Sequence, residues 1–416
     1  MGSPVTAPID RRTLVSLFAR LRTGGGQANP LPAYDRLMAM GEVVPAPWGG
    51  HLVTSYRLCR RILADKSWRV PDHQWRNSRN DAARWRTPAS QQIGNSLPML
   101  NAPLHTRVRG SVGNLFHPNS IAALEPSIEN TVETLLDQFA GQLRQGPADF
   151  CALVSEELPV VTIGRWMGLP PSDYALLRDL THDQVHTQEL FPTTSQLALS
   201  DAATARLRRY FSDLIRERRR RPGNDPVSIW LRTWDDLEPD RSVADAAVHA
   251  LALFMILAAL ETTSHVLSDA VRLLLESPGQ LELLRRDPGL VPDAIEEVLR
   301  YDAPIHMISR VAGADTELGG VFVPAGEMVQ LMAGAAHHDP AQYADPHRFD
   351  VRRRAPHLSF GAGAHYCLGS VLARLEAKVL LTSLIRRGMH LRISTPPQWA
   401  PRVAFRRLVS LHLTPA

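Results

Sequence analysis

The sequence predicts one mainly α-helical domain with small β-sheets toward its C-terminal half. Three observations predict it. From about residue 103 to 300, apolar residues recur at helical spacing and prolines fall between the runs. After residue 304, glycines, prolines and short β-type runs take over. No internal repeat or clear linker splits the 416 residues. Residues 30–416 therefore read as one domain and residues 1–29 as a loose lead-in.

The lead-in carries Gly24-Gly25-Gly26, Pro30 and Pro32. Gly49 to Ser55 reads as a short strand with Leu52 and Val53 inside. Residues 71–100 hold Trp75, Trp85 and many polar residues without a period, so they read as a long, partly irregular loop. Pro103 opens a helix and Pro118 closes it. Residues 120–144 place Ile121, Leu124, Ile128, Val132, Leu135 and Leu136 at helical spacing. Pro170-Pro171 breaks the chain, and Ser172-Asp173 can cap the next helix. A long helix follows over 243–276, started by Ser242 and ended by Pro278, and another runs over 292–301. Val321-Phe322-Val323 and Met328-Val329-Gln330 read as strands. The loop 355–366 leads into a helix over 367–387, and Leu391 to Leu413 alternates like a terminal hairpin.

Composition narrows the function. The net charge is +4, yet only Lys66 and Lys378 are lysines, and no basic stripe is interleaved with aromatics. Nucleic-acid binding is not expected. The run Arg216 to Arg221, ending at Pro222-Gly223, reads as a solvated last helical turn. Cys59, Cys151 and Cys367 are odd in number and far apart, which fits a reducing cytoplasm. No signal-peptide pattern opens the chain. The longest uncharged stretch of the long helix, Ala246 to Leu260, is too short to span a bilayer comfortably, so no membrane is expected.

The strongest local signal is Phe360-Gly361-Ala362-Gly363-Ala364-His365-Tyr366-Cys367-Leu368-Gly369. Six specified positions of this kind arise by chance about once in 10⁸ starts. Gly361 and Gly363 permit a tight backbone whose N–H groups can face a sulfur. A helix start at Cys367 would favour a thiolate, and a thiolate is a strongly donating axial ligand for haem iron. Phe360 can shield that ligand, and Gly369 allows close approach. This loop resembles the cytochrome P-450 signature at every fixed position. The resemblance spans roughly residues 30–415 and lies with the soluble bacterial branch that tailors polyketides, macrolides and peptides.

The resemblance implies a single-domain cytochrome P-450 fold, with haem b between the long central helix and the cysteine-loop helix. Cys367 would bind the iron. His105 and Arg109, four apart on one helical face, would join Arg310 and His365 in holding the haem carboxylates. Glu297 and Arg300 would form a structural lock with Arg348, from the Asp345-Pro346-His347-Arg348-Phe349-Asp350 loop. His337-His338-Asp339-Pro340 resembles a family turn segment, and no Cys/His cluster has zinc spacing. In Ala258-Ala259-Leu260-Glu261-Thr262-Thr263, Thr262 would hydrogen-bond dioxygen and Glu261 would help deliver protons. A carboxylate in so apolar a helix is costly unless hydrated or paired. Ala259 stands where the family usually has glycine.

The implied reaction inserts one oxygen atom from O2 into a lipophilic small molecule by hydroxylation or epoxidation, as a step of bacterial secondary metabolism. No flavin or iron–sulfur segment is present, so NAD(P)H-derived electrons would come through a ferredoxin and ferredoxin reductase. An acidic ferredoxin would dock behind Cys367 on a monomer. The implied pocket takes in Ile93 and Leu97 from the 75–97 loop, Met255, Ala258, Ile305, Ile308, Ala404 and Phe405, with His182, His186 and His306 as polar anchors. Two alternatives stay open: a haem-thiolate gas or redox sensor, and a peroxide-using enzyme of the same fold. The Glu261-Thr262 pair argues against both.

Overall fold

The computed structural model describes residues 11–78 and 85–416. Its axis is the central helix, Arg241–Glu276. Asp240 caps it by accepting from the Ser242 N–H, so the start falls just before the expected serine. Pro278 opens the next helix, Pro278–Arg286. The central helix is apolar on most of its circumference, which is the pattern of a helix wrapped by others. Helices Glu157–Trp166, Tyr174–Gln184, Thr194–Arg220, Pro226–Leu237 and Ser370–Arg386 all pack on it. It is long and apolar enough to cross a membrane, but here it is the core helix of the fold.

Two apolar clusters flank it. Phe211, Trp230 and Trp234 pack with Val248, Leu251 and Ile256 of its first half. Phe139 and Phe150 join Leu267, Leu273 and Leu380 in the cluster of its second half. A five-stranded sheet lies apart, in the order Val43–Pro45, His51–Val53, Met328–Leu331, Ile308–Ala312, Trp68–Arg69. His51–Val53 runs parallel to Met328–Leu331, and the other pairs are antiparallel. The mainly helical fold class with small sheets is therefore as the sequence predicts.

Several local expectations change. The lead-in is not loose over its described part. Arg11–Leu21 is a helix that buries Leu14, Leu17, Phe18 and Leu21, and Thr23 caps the short helix Gly24–Ala28. Its first ten residues lie outside the described residues. The supposed irregular loop 71–100 holds helices His73–Asn77, capped by Asp72, and Pro88–Gly94, capped by Thr87. Residues 79–84 lie outside the description. Pro118 opens a helix, Pro118–Ala122, instead of closing one, because proline fits a first helical turn. Leu104–Ser111 has already ended by then. Asp173 does not cap Tyr174–Gln184 with its side chain, and the chain enters through the turn Pro171–Asp173. The arginine run is paired as well as solvated: Arg218 bonds Asp225, and Arg219 bonds Asp235 and Asp245. The C-terminal segment is two pairings, not one hairpin. Gln398–Trp399 pairs Leu408–Ser410, while His412–Pro415 pairs Leu391–Ile393 and Ala148–Asp149.

Candidate active site

A cavity of about 920 Å³ lies between the central helix and the Cys367 loop. Cys367 is open to it. The cysteine precedes the helix Ser370–Arg386 by three residues, so it sits in the loop and not on the first turn as expected. Its N–H donates to the Phe360 carbonyl at 2.9 Å. Gly361 and Gly363 adopt φ of +70° and +68°, a region open to glycine. A Cβ on Gly363 would fall 2.6 Å from the Leu63 carbonyl oxygen. Burial pushes the Cys367 thiol up, while the Gly369 N–H, Arg109 and Arg374 oppose that by favouring the thiolate. Arg374 lies over the Phe360 ring at 4.4 Å and is clamped by Glu296 at 2.6 and 2.8 Å. The Phe360 ring, which lines the same cavity as Cys367, is thereby held from outside.

Beside the sulfur, His105, Arg109, Arg310 and His365 converge on the cavity. The two imidazoles lie 4.1 Å apart. His105 Nε2 and His365 Nδ1 are buried without a partner. Burial pushes His365 down to about 3, with His105, Arg310 and Arg109 adding repulsion. Burial likewise lowers Arg310 to about 10. Among the described residues, neither arginine has an acidic partner. Four cationic or donor groups facing one another without an anion fit a ligand that carries carboxylates. With a cysteine sulfur open to the same cavity, these residues fit haem.

Across the cavity, Thr262 and Glu261 reach its wall from the central helix. The Thr262 hydroxyl donates to the Ala258 carbonyl at 3.0 Å. Glu261 is paired, as the cost of burying a carboxylate requires. It forms an ion pair with Arg402 and lies 2.8 Å from His182 Nδ1. Burial raises its carboxyl, but Arg402 and His182 win and hold it well below the ordinary range.

Glu297 and Arg300 form a buried two-pronged pair at 2.7 and 2.8 Å. Arg300 also donates to the carbonyls of His337 and Pro346, both at 2.8 Å. The expected third member is corrected. Arg348 has a side chain 63% exposed and reaches only Asp350, at 3.6 Å. Arg353 Nε instead lies 3.1 Å from Glu297. The turn after Asp345 aims Arg348 outward and brings Arg353 back over the pair.

Ile93, Leu97, Met255, Ala258, Ile305, Ile308, Ala404 and Phe405 all line the cavity. The expected histidine anchors do not. His306 Nδ1 faces the Tyr34 hydroxyl at 2.5 Å, and its other nitrogen faces Asp302. His186 is absent from the wall, and His182 is committed to Glu261. Sequence reasoning missed Arg402, Gln184, Trp48 and Phe191. The last three line the cavity, and Arg402 carries no local signal of its role.

A second polar cluster, His265, Asp269 and Asp302, lies within metal-binding distance of itself. Arg272 pairs with both aspartates and Arg406 with Asp302. Two arginines already balance the two carboxylates, so the cluster reads as structural.

The family model described as Cytochrome P450 matches residues 289–410. The cytochrome P450 monooxygenase PikC of Streptomyces venezuelae is 32% identical over 393 residues, covering 92% of this chain and 90% of the relative. Nocardicin C N-oxygenase of Nocardia uniformis subsp. tsuyamanensis is 35% identical over 319 residues, covering 76% and 77%. Among solved structures, P450BioI in complex with an acyl carrier protein ligated to hexadec-9Z-enoic acid superposes with a TM-score of 0.86. It is 31% identical and covers 94% of this chain and 100% of its own. Epothilone D-bound P450epoK gives 0.84 at 28% identity, over 95% and 99%.

Proposed function

The chain belongs to the cytochrome P450 family, and from that premise we propose that it hydroxylates or epoxidises a lipophilic secondary metabolite. One observation carries this reading. A cysteine sulfur and a cradle of His105, Arg109, Arg310 and His365 whose arginines have no acidic partner among the described residues face an apolar cavity whose opposite wall holds Glu261 and Thr262. Cys367, with His105, Arg109, Arg310 and His365, would hold a haem, which would supply the activation of dioxygen.

The chain's own residues do the rest. Gly369 and Arg109 favour the thiolate form of Cys367. Phe360, pinned by Arg374, keeps water from the sulfur. Ile93, Leu97, Met255, Ile305 and Phe405 exclude water from the substrate side. Thr262 offers a hydroxyl at the cavity wall, and Glu261 holds a negative charge beside it. Electrons come from NAD(P)H through a ferredoxin and its reductase, and the net charge of +4 suits an acidic donor. The enzyme works as a monomer in the cytoplasm.

The substrate reading rests on the apolar wall and on relatives named for natural-product chemistry, among them Nocardicin C N-oxygenase and P450epoK. Two measurements test the whole. The reduced, carbon-monoxide-bound spectrum should show a strongly red-shifted Soret band that Cys367→Ser abolishes. A histidine-type band in the wild type overturns the assignment. Thr262→Ala should leave that band in place and divert consumed dioxygen to hydrogen peroxide. Unchanged coupling would remove Thr262 from proton handling and reopen the sensor and peroxide-using alternatives.

A further inference from the structure

We propose that His182 is the proton relay of this pocket, carrying protons inward from Glu156 to Glu261. The inference rests on the monooxygenase reading, because that reaction consumes protons at the cavity.

Three side chains from separate segments form a path. Glu261 is the inner end, 3% exposed and in the cavity wall. His182, on the helix Tyr174–Gln184, is 15% exposed and meets Glu261 Oε2 through Nδ1 at 2.8 Å. Its Nε2 faces Glu156 at 3.7 Å and is buried without a hydrogen-bond partner, so a small approach of the carboxylate completes the path. Glu156 is 14% exposed and anchored by Arg407 at 2.5 Å. The path therefore runs from a dry carboxylate at the cavity to a wetter one outside it.

Glu261 alone is a poor proton store. Arg402 occupies its Oε1 and keeps it anionic. Imidazole supplies what is missing, because it can take a proton on one nitrogen while losing another from the second. Each transfer balances. A proton from water reaches Nε2 by way of Glu156, the Nδ1 proton passes to Glu261, and Glu261 releases it into the cavity. Tautomer exchange then resets the ring. The charged and titratable groups around His182 are Glu156, Glu261, Arg402 and Arg407, with Asp183 and His186 beside it. Burial disfavours the imidazolium, but the Glu156 and Glu261 carboxylates outweigh it and raise its pKa. A purely structural ion-pair cluster would share this geometry but would not control proton supply.

The test uses the full-length holoenzyme. In the diamagnetic ferrous carbonyl form, labelled with ¹⁵N-histidine, long-range N–H correlation spectra report the ring titrations. The His182 signals are those lost in His182→Gln. They should titrate above the ordinary histidine range, and Glu156→Gln and Glu261→Gln should each lower that pKa. The second readout is NADPH-driven dioxygen consumption with excess exogenous ferredoxin and reductase, followed against pH and in D2O. Wild type should lose rate as pH rises through the His182 pKa. His182→Gln should lose that pH limb and about tenfold or more of the rate, with a larger solvent isotope effect. Glu156→Gln leaves the His182–Glu261 bond in place, so it carries the test if His182→Gln does not fold. A pH limb that survives in the folded variants overturns the relay. A wild type lacking the thiolate band defeats the monooxygenase reading instead, and the spectra then still report whether His182 couples to both carboxylates.

Discussion

Glu376 shows how one buried group can set a pH dependence for the whole protein. It lies in the cavity wall on the helix Ser370–Arg386, and its Oε2 has no partner. Burial alone pushes its carboxyl from 4.5 up to about 8. Folded protein therefore holds a proton that the unfolded chain releases between those values. The stability contribution is full below pH 4.5 and is lost as pH rises toward 8. Glu376→Gln cannot ionise, so its denaturation midpoint should vary less between pH 5 and pH 8 than that of wild type. The difference should amount to a few kcal/mol, on the order of the linked pKa change. Equal slopes for both proteins would show that the carboxyl ionises freely in the folded state. Glu376 passes unnoticed in the sequence, because a glutamate on a helix is ordinary until packing removes its water. Cys367 is the opposite case. Its glycines, shielding aromatic and helix are local, so ten consecutive residues announce the site.

Between elements, the Glu297–Arg300 pair ties the helix Val291–Tyr301 to the segment leading to the Cys367 loop. Arg300 is fully buried and reaches carbonyls of His337 and Pro346. Glu297→Ala would leave that guanidinium without its carboxylate, at a cost of about 3–5 kcal/mol. Arg353→Ala should also destabilise, because Arg353 bonds Glu297 and the Ala344 carbonyl. Arg348→Ala should change stability by no more than about 0.5 kcal/mol. Thermal unfolding of the three variants checks the ranking, and a larger loss in Arg348→Ala than in Arg353→Ala would restore the sequence expectation. That expectation failed because sequence order does not say where a turn aims each arginine. The long helices were legible, since Glu125–Leu143 and Arg241–Glu276 repeat their apolar pattern over many turns. His73–Asn77 and Pro88–Gly94 were not, since five or seven residues are too few to show a period.

Across the whole molecule, the N-terminal segment braces the active site, although Gly24-Gly25-Gly26, Pro30 and Pro32 read as a loose lead-in. Phe18 meets Trp48 edge-on at 4.9 Å and Phe191 at 6.4 Å, and both partners line the cavity. Gln27 donates to the Arg402 carbonyl at 2.5 Å, and Arg406 donates back to the Gln27 carbonyl at 2.5 Å. Arg402 is the residue that pins Glu261. The first two described helices are thus connected to the site, Arg11–Leu21 through Phe18 to the substrate wall and Gly24–Ala28 through Gln27 to the arginine that pairs with the acid of the central helix, the latter across some 375 residues of sequence. No local pattern could reveal that coupling, because each partner is unremarkable in its own neighbourhood. Phe18→Ala removes the ring against which Trp48 and Phe191 rest, and should cost about 3–5 kcal/mol of stability. The loss should also reach the cavity. In the folded variant, below its unfolding transition, an azole inhibitor that perturbs the Soret band should bind severalfold more weakly than in wild type. The carbon-monoxide spectrum should stay unchanged, since Phe18 packs in a different cluster from Phe360 of the cysteine loop. Unaltered azole affinity in a destabilised Phe18→Ala would show that the N-terminal helix supports the fold without shaping the pocket.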